Sequence, residues 1–300
     1  MPSQKTFARN LASDFLATRP WSFPVSVVPV LVTTAGLSYL GYNVNWWLML
    51  WALVGAMLFH AAGNTLSDYF DYRQGIDASD TFGSRTLVDG VITPERMLRL
   101  SIVLLTIACL CGIGLMLVTG WQLLLFGVAG ALLAVCYFFL KSHALGDVDI
   151  FLTFGFLPAL GTSFVVTGAI QWEALWFVLA YIPITNAVLH ANNTRDVQTD
   201  LRANIRTVPM LIGKWASQWL YCLMVIFPLM WTIVCVLLGK MPWTALLMVL
   251  ALPLALMNCR MMMQMDSLPD GINALDEATA KQQLVSSLLL FIGLLLAHLL

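Results

Sequence analysis

The stretch NTLSDYFDYRQGID, Asn64 to Asp77, decides the fold because it joins an apolar run to three aspartates. The run before it, residues 46–64, is long enough to cross a bilayer as a helix, since about 20 residues span roughly 30 Å. A second apolar run ends in the same way at NNTRDVQTD, Asn192 to Asp200. One fold and one chemistry therefore have to explain both stretches.

Composition places both stretches in a membrane protein. Of the 300 residues, 60% are hydrophobic and only 10% are charged, whereas a soluble domain carries about 25% charged residues. We predict an all-α integral membrane protein with nine transmembrane helices, in a bundle around a central cavity with cytoplasmic cap loops. The predicted spans are 22–41, 46–64, 97–118, 121–140, 149–169, 174–192, 216–238, 242–263 and 280–300.

Basic residues orient these helices, because lysine and arginine near the ends of spans stay on the cytoplasmic side. With the predicted spans, 14 of the 15 basic residues fall on one side and only Lys240 on the other. We predict a multi-pass protein of the inner (cytoplasmic) membrane with a cytoplasmic N-terminus and an outward C-terminus. A cleaved signal peptide is disfavoured, because Asp14 interrupts the basic region and the first apolar segment exceeds a signal core of about 7–15 residues.

The rest of the composition argues against several other classes of site. All six cysteines fall within or at the edges of apolar spans, so neither a disulfide framework nor a zinc site is indicated. No basic tract suggests nucleic-acid binding. Of the sixteen acidic residues only Glu173 maps to an outside loop, which places the chemistry on the cytoplasmic face.

A weak internal repeat relates the two aspartate stretches. Asn64 and Asn192 are 128 residues apart, and each is followed four residues later by an aspartate. An Arg-Thr pair follows each stretch, in SRTLVDG at Ser84–Gly90 and in IRTVPMLIG at Ile205–Gly213. We predict a single domain, 1–300, made of two parallel repeats at about 20–140 and 149–263 and a final helix at 280–300.

Each stretch is predicted to form a one-sided array of oxygen ligands, because residues three or four apart share a face of a helix. The arrays are Asn64, Asp68 and Asp71, and Asn192, Asp196 and Asp200, with Asp77 in the turn after Gly75. Carboxylates gathered at a membrane interface repel one another and are costly to desolvate, so they need cations. Mg²⁺ fits, since it binds a few carboxylates together with waters and substrate phosphates.

Such a metal implies a diphosphate substrate. Four basic residues on the same side are available to neutralise its oxygens: Arg85, Lys141, Arg195 and Arg206. Because the site opens into an apolar bundle, the rest of the substrate is predicted to be a hydrocarbon chain that reaches into lipid. The combination describes a polyprenyl diphosphate.

Four segments resemble a known family. They are Arg19-Pro20-Trp21, SRTLVDGVIT at Ser84–Thr93, ALGDVDI at Ala144–Ile150 and HANNTRDVQTDLRANIRTVPMLIG at His190–Gly213. With the two aspartate stretches, they resemble the UbiA-type intramembrane aromatic prenyltransferases. Within that superfamily the chain is most similar to the 1,4-dihydroxy-2-naphthoate polyprenyltransferases of menaquinone synthesis. Ser67 departs from the family pattern, because many members have asparagine directly before the aspartate that corresponds to Asp68.

The resemblance implies an Mg²⁺-dependent enzyme that transfers a polyprenyl group to an aromatic acceptor with release of diphosphate and CO2, giving a demethylmenaquinone. An allylic cation, protected from water by loops 65–96 and 193–215, would be attacked by the aromatic ring. The implied catalytic residues are Asp68, Asp71, Asp196, Asp200, Arg85 and Lys141, of which the four aspartates hold the metal. The implied substrate-binding residues are Asn64, Asp77, Asp147, Asn192, Arg195 and Arg206.

Several alternatives stay open at this point. Related enzymes use 4-hydroxybenzoate or homogentisate as the aromatic acceptor, so either compound is an alternative. A divalent-cation transporter is another alternative, because such proteins also carry acidic residues in membrane helices. A CDP-alcohol phosphotransferase is disfavoured, because Tyr72 stands where its signature requires glycine. His60 and His190 are interpreted as helix-packing residues, and Asp149 as a helix N-terminal charge.

Overall fold

The chain folds into helices throughout the part that the structure describes. The computed structural model describes residues 4–74, 85–202, 205–266 and 272–297, and the regular elements in those ranges are helical. A single isolated bridge in these ranges pairs His143 with Arg206. The predicted all-α fold is therefore confirmed.

The helices are labelled here in chain order. The α-helices are α1 (Gln4–Ala17), α2 (Pro24–Tyr39), α3 (Trp46–Gln74), α4 (Pro94–Thr119), α5 (Leu123–Ser142), α6 (Gly146–Phe151), α7 (Leu157–Thr167), α8 (Ala174–Val178), α9 (Ile182–Arg195), α10 (Val197–Arg202), α11 (Val208–Leu237), α12 (Leu252–Met263) and α13 (Leu275–Leu296). Two 3-10 helices lie at Pro20–Ser22 and Trp243–Ala251, and a π-helical turn lies at Leu152–Phe156.

Membrane-spanning segments are evident from length and apolarity. In the described ranges, six segments are long and apolar enough to cross a bilayer, and the pair Leu11–Ser22 and Pro24–Tyr39, bent by 56°, adds a seventh if it counts as one span. The six are Trp46–Arg73, Pro94–Thr119, Gly146–Thr167, Val208–Leu237, Trp243–Met263 and Leu275–Leu296. Large apolar side chains such as Leu237, at 80% exposure, cover their surfaces, as lipid contact requires.

The described residues do not confirm nine complete spans. The predicted span 121–140 corresponds to α5, Leu123–Ser142, in which Leu123–Tyr137 is an apolar stretch of the described residues shorter than the six long segments. The predicted span 174–192 is divided into α8 and α9, because turns interrupt it at 179–181 and a proline, Pro183, lies in the first turn of the next helix. Most of α9 is buried inside the protein, so its hydrophobic residues pack against other helices instead of lipid.

The two predicted cap loops are also more helical than expected. The loop predicted at 65–96 begins inside α3, which continues to Gln74, and α4 begins at Pro94. The loop predicted at 193–215 contains the end of α9, all of α10 and the beginning of α11. Hydropathy places a span boundary where polar residues begin, although the helix itself continues beyond that point.

Residues 1–27 and 50–118 form the first of two compact units. A small apolar cluster joins Ala17 to Leu87, Ile92 and Met97, so that the turn before α4 packs on the end of α1. An ion pair between Arg96 Nη2 and Asp14 Oδ2, 2.7 Å apart, adds a polar contact between the same helices. The aspartates of the first stretch belong to this unit.

Residues 28–49 and 119–300 form the second unit, whose last helix is tightly held. Thr244 donates a hydrogen bond of 2.6 Å to the backbone oxygen of Gly293 in α13. A Cβ atom at Gly293 would lie 2.9 Å from the Ala245 Cα, so only glycine permits this approach. The first turn of α13 carries an acidic side chain, Asp276, that contacts Arg195 of α9.

A π-helical turn interrupts the predicted span 149–169 between α6 and α7. Gly155 in this turn faces Ile182 at the start of α9, where a Cβ would lie 2.8 Å from the Ile182 Cγ1. The Tyr181 hydroxyl lies 3.5 Å from the Gly155 backbone oxygen. Turns of this kind occur frequently at functional sites, and this one directly follows Asp147 and Asp149.

Candidate active site

Asn64, Asp68 and Asp71 of the first aspartate stretch lie on α3, and the carboxylate of Asp68 is buried. Asp68 is 2% exposed and forms an ion pair with Arg19. Arg19 was not among the predicted site residues, although the Arg-Pro-Trp segment had been noted in the sequence. The positive charge that the first array requires is thus supplied at Asp68, at least in part, by the protein itself.

A network of polar side chains holds the segment that carries Arg19. The Asn64 amide donates to the backbone oxygen of Thr18 at 2.9 Å and to the Ser22 Oγ at 3.0 Å. His60, one turn earlier on α3, lies 3.1 Å from the Ser22 Oγ and 2.5 Å from the Ser26 Oγ. The interpretation of His60 as a packing residue agrees with these contacts, and the Asn64 amide nitrogen holds the backbone beside Arg19.

The remaining residues predicted for this half of the site are less enclosed. Asp71 accepts a hydrogen bond of 3.2 Å from Ser67. Arg85 is exposed and contacts Asp89 in the following turn, with Nη2 and Oδ1 2.9 Å apart. Gly75 and Asp77 lie outside the described residues, so the predicted role of Asp77 stays a prediction.

The second aspartate stretch is not one uninterrupted helix. α9 ends at Arg195, Asp196 has φ −90° and ψ 9°, and α10 begins at Val197. Backbone hydrogen bonds nevertheless continue in steps of four, from the Asp196 N–H to the Asn192 oxygen at 2.9 Å and from the Asp200 N–H to the Asp196 oxygen at 2.8 Å. The predicted succession of three ligand positions therefore persists across the break.

Asp196 is paired with its own neighbour. Arg195 donates from Nε to Asp196 Oδ1 at 2.7 Å and from Nη2 to Asp196 Oδ2 at 2.9 Å. The third nitrogen, Nη1, donates at 2.8 Å to Asp276 Oδ2 in the first turn of α13. Sequence reasoning missed this contact of Asp276, because Asp276 lies 81 positions from Arg195.

Asp200 is the most enclosed carboxylate of the second stretch. Its side chain is buried, and Oδ2 has no hydrogen-bond partner among the described residues. Burial raises the pKa of the Asp200 carboxyl, and the Asp196 charge acts in the same direction, whereas the positive charges of Lys141 and Arg195 oppose the increase. The charges of Lys141, Arg195 and Asp196 therefore act on Asp200 within the second unit, and the role of these four residues in a site stays a prediction.

The ALGDVDI segment adds two further carboxylates. The Asn186 amide donates at 3.0 Å to the Asp147 backbone oxygen, so that α6 is attached to α9. Both side-chain oxygens of Asp147 are buried without a partner in the described ranges. Asp149 lies in the first turn of α6, as expected for a helix N-terminal charge, but it is only 3% exposed and its Oδ1 also has no described partner.

Asn192 and Arg206 occupy different environments. The Asn192 Oδ1 is buried and has no described hydrogen-bond partner. The Arg206 N–H donates to the Ser142 backbone oxygen at 3.1 Å, which places its backbone beside the end of α5, while its side chain is exposed. His190, beside Asn192, contacts the Ser217 Oγ at 2.8 Å and fits the predicted packing role.

Within either unit, the candidate residues meet only some of the requirements of a site for a hard divalent cation. Buried carboxylate oxygens at Asp147 and Asp200 have no described partner, and oxygen ligands of this type suit Mg²⁺. Within the described ranges, however, no three or more His, Cys, Asp or Glu side chains are grouped closely enough to hold a metal ion. A shared metal site made by both stretches stays a prediction.

Comparison with known proteins identifies relatives of the whole chain. Residues 26–271 match the UbiA prenyltransferase family. The UbiA prenyltransferase domain-containing protein 1 of Xenopus tropicalis is 32% identical over 299 residues, which cover 97% of this chain and 84% of that protein. The human protein of the same name is also 32% identical, over 98% of this chain and 86% of its own length.

Two solved structures share the fold at low sequence identity. A UbiA homolog from Aeropyrum pernix K1 superposes with a TM-score of 0.65 at 13% identity, over 92% of this chain and 98% of that one. A digeranylgeranylglyceryl phosphate synthase superposes with a TM-score of 0.62 at 15% identity, over 95% of this chain and 98% of that one.

Proposed function

The chain belongs to the UbiA prenyltransferase family, and we propose that it transfers a polyprenyl group from a polyprenyl diphosphate to 1,4-dihydroxy-2-naphthoate. Membership defines it as a prenyl-transferring membrane enzyme. The observation that supports prenyl transfer at the aspartate stretches is that the family match, residues 26–271, includes both of them. The naphthoate acceptor rests on the sequence motifs, since the names of the relatives specify no acceptor.

In this proposal the diphosphate binds at the two aspartate stretches. Asp68, Asp71, Asp196 and Asp200 would hold Mg²⁺, and Arg85, Lys141, Arg195 and Arg206 would contact diphosphate oxygens. Asn64, Asp77, Asp147 and Asn192 would complete the substrate contacts. When bound, Mg²⁺ supplies Lewis-acid stabilisation of the negative charge on the leaving group. Arginine adds paired N–H donors whose spacing matches two phosphate oxygens.

In the proposed reaction the allylic carbon of the substrate exchanges its bond to a diphosphate oxygen for a bond to a ring carbon of the acceptor. The allylic C–O bond breaks and its electron pair leaves with the diphosphate. The ring carbon that carries the carboxylate then forms a C–C bond to the allylic carbon, and the electron pair of its bond to the carboxylate returns to the ring as CO2 departs. The product is a prenylated naphthoquinol, the reduced form of demethylmenaquinone, and the step requires no oxidant.

The surroundings of the site are suited to an allylic cation. Apolar membrane helices exclude the water that would otherwise capture the cation, and the hydrocarbon tail of the substrate can extend into lipid. In the same proposal the protein lies in the cytoplasmic membrane, with its N-terminus and both aspartate stretches facing the cytoplasm and its C-terminus outside.

The test uses the purified protein with geranylgeranyl diphosphate and each of three acceptors in parallel: dihydroxynaphthoate, 4-hydroxybenzoate and homogentisate. We expect Mg²⁺-dependent release of diphosphate and a prenylated product with dihydroxynaphthoate, loss of both after chelation, and recovery when Mg²⁺ is added back. Turnover with another acceptor alone would overturn the naphthoate assignment. Divalent-cation flux through proteoliposomes without turnover would favour the transporter instead.

A further inference from the structure

Arg195 lies between two carboxylates that come from different helices. Its side chain is 10% exposed. One edge, Nε and Nη2, contacts both oxygens of Asp196 at 2.7 and 2.9 Å, while Nη1 contacts Asp276 Oδ2 at 2.8 Å. Paired, charge-assisted hydrogen bonds of this kind fix the orientation of a guanidinium as well as its position. The direction in which Arg195 points therefore depends on both aspartates.

Asp276 is itself held rigidly. It lies in the first turn of α13, where the helix dipole favours negative charge. The Glu277 N–H donates to Asp276 Oδ1 at 2.9 Å, which leaves Oδ2 directed to Arg195. The close approach of Gly293 to the 3-10 helix at Trp243–Ala251 fixes the far end of the same helix. α13 is thus a firm support for the guanidinium.

We infer that Asp276 is a positioning residue that keeps Arg195 at the diphosphate site when Asp196 binds a cation. This inference rests on the proposed function, which supplies the cation and the diphosphate. An Asp196 oxygen that binds a metal ion gives up hydrogen bonding at that position, so the Nε and Nη2 edge of Arg195 loses acceptors. Asp276 retains the third nitrogen, and the released edge faces a substrate oxygen instead of moving away.

The charge balance leads to a second consequence. With Asp276 present, the Arg195 guanidinium is shared by two carboxylates, so Arg195 neutralises Asp196 only in part. Without the charge of Asp276, Arg195 would no longer be drawn to a carboxylate on α13 and would compete more strongly with any cation for Asp196. Removal of the Asp276 charge should therefore weaken binding of both the cation and the diphosphate, although Asp276 contacts neither.

The experiment measures ligand binding by the purified full-length protein without turnover. Mn²⁺ serves as a spectroscopic probe of the metal site, followed by electron paramagnetic resonance, and an unreactive farnesyl thiolodiphosphate serves as the diphosphate probe. Asp276→Asn should raise the Kd of the thiolodiphosphate about tenfold, the scale of one charge-assisted hydrogen bond, and should raise the Kd of Mn²⁺ in the same direction. Glu277→Gln removes a charge from the same helical turn and is the matched control.

A purely structural role would produce a different pattern. In that case Asp276→Asn would lower the midpoint of thermal unfolding but leave both Kd values of the folded protein within twofold of wild type, and the inference would be overturned. Equal weakening by Glu277→Gln would overturn it as well. If Asp276→Asn does not fold, Asp276→Glu, which retains the charge, decides: we expect affinity at least partly like wild type, and complete loss would contradict the inference. A wild-type protein that binds neither probe would refute the proposed function itself.

Discussion

Arg19 forms an ion pair with Asp68, 49 residues away in the sequence, and Asp68 is almost completely buried. Arg19 has a left-handed backbone conformation, φ 53° and ψ 60°, directly before Pro20. A helical conformation is disfavoured before proline, so the chain turns there and the side chain is directed to α3. The bend after α1 thus positions the counter-charge of a motif aspartate.

We predict that Arg19→Ala destabilises the protein by about 2 kcal/mol, because it removes the positive charge that Arg19 places beside a buried carboxylate. Asp89→Asn is the control, since it removes an exposed ion pair with Arg85 that solvent screens and that should contribute little to stability. Thermal unfolding in detergent compares the two variants. Equal midpoints would show that the Arg19 pair contributes no more than a surface pair.

The motif aspartates should be needed for chemistry more than for folding. Asp68→Asn and Asp196→Asn are each expected to lower diphosphate release at least about a hundredfold, the usual effect of removing one group that stabilises transition-state charge. Asp266→Asn removes an exposed aspartate paired with Lys214 and should leave the rate unchanged. Retained activity in either motif variant would show that the aspartate is not a metal ligand.

Asp200 should show a trade-off between stability and activity. Its raised pKa means that the folded protein binds the proton more tightly than the unfolded chain, so its contribution to stability falls as pH increases above the ordinary value of 3.8. At neutral pH, Asp200→Asn removes this penalty, and we expect an unfolding midpoint at or above that of wild type.

The same variant should lose diphosphate release by about a hundredfold. The midpoint of thermal unfolding and the rate of release, measured on one preparation, test both halves of this prediction. A large loss of stability at neutral pH would contradict the assignment of Asp200 as a penalised, buried charge.

The two aspartate stretches are predicted to converge on one metal site. Carboxylates that share an Mg²⁺ ion, each with oxygen about 2.1 Å from it, place their side chains close enough for a short thiol cross-linker. In a background with the six native cysteines replaced, the pair Asp68→Cys and Asp196→Cys should cross-link within the chain. The pair Thr18→Cys and Asn64→Cys, which replaces residues joined by a hydrogen bond, is the positive control. Cross-linking of the control alone would disprove convergence.

The acceptor can be tested in the cell that makes the protein. If the acceptor is dihydroxynaphthoate, deletion of the gene should remove menaquinones and cause dihydroxynaphthoate to accumulate, as measured by mass spectrometry of extracted lipids and metabolites. Restoration by the wild-type gene and not by the Asp196→Asn form would link the loss to catalysis. Unchanged menaquinone would refute the acceptor but not the prenyl-transfer chemistry.

Hydropathy predicted the long lipid-exposed helices well and the buried ones poorly. Segments such as Pro94–Thr119 are apolar on most faces, so a window of sequence identifies them directly. The segment 174–192 is equally rich in apolar residues, but its side chains are buried against other helices, and Pro183 together with polar Asn186 and His190 interrupts the pattern. The average hydrophobicity of a segment does not show whether its side chains contact lipid or other helices.

The placement of the candidate residues was predictable where they repeat locally, and their contacts were not predictable where these depend on distant partners. Asn64, Asp68 and Asp71 follow helical spacing, and the structure places all three on α3. The arginine partners of Asp68 and Asp196 were not predicted, because the surplus of negative charge suggested only metal ions as counter-charges. The contact from Arg195 to Asp276 depends on how α9 and α13 pack, which no local pattern records.

The π-helical turn at Leu152–Phe156 has a consequence for how this protein can change over evolutionary time. Bonding from residue i to i+5 accommodates one more residue than an α-helical turn, and one residue corresponds to about 100° of rotation around a helix axis. The turn accommodates this rotation. Two parts of the span, α6 with Asp147 and α7 from Leu157 onward, therefore do not need to keep the same helical register. Substitutions that adapt the distal half to a different lipid or to a longer hydrocarbon chain can accumulate there while the orientation of the acidic half is preserved.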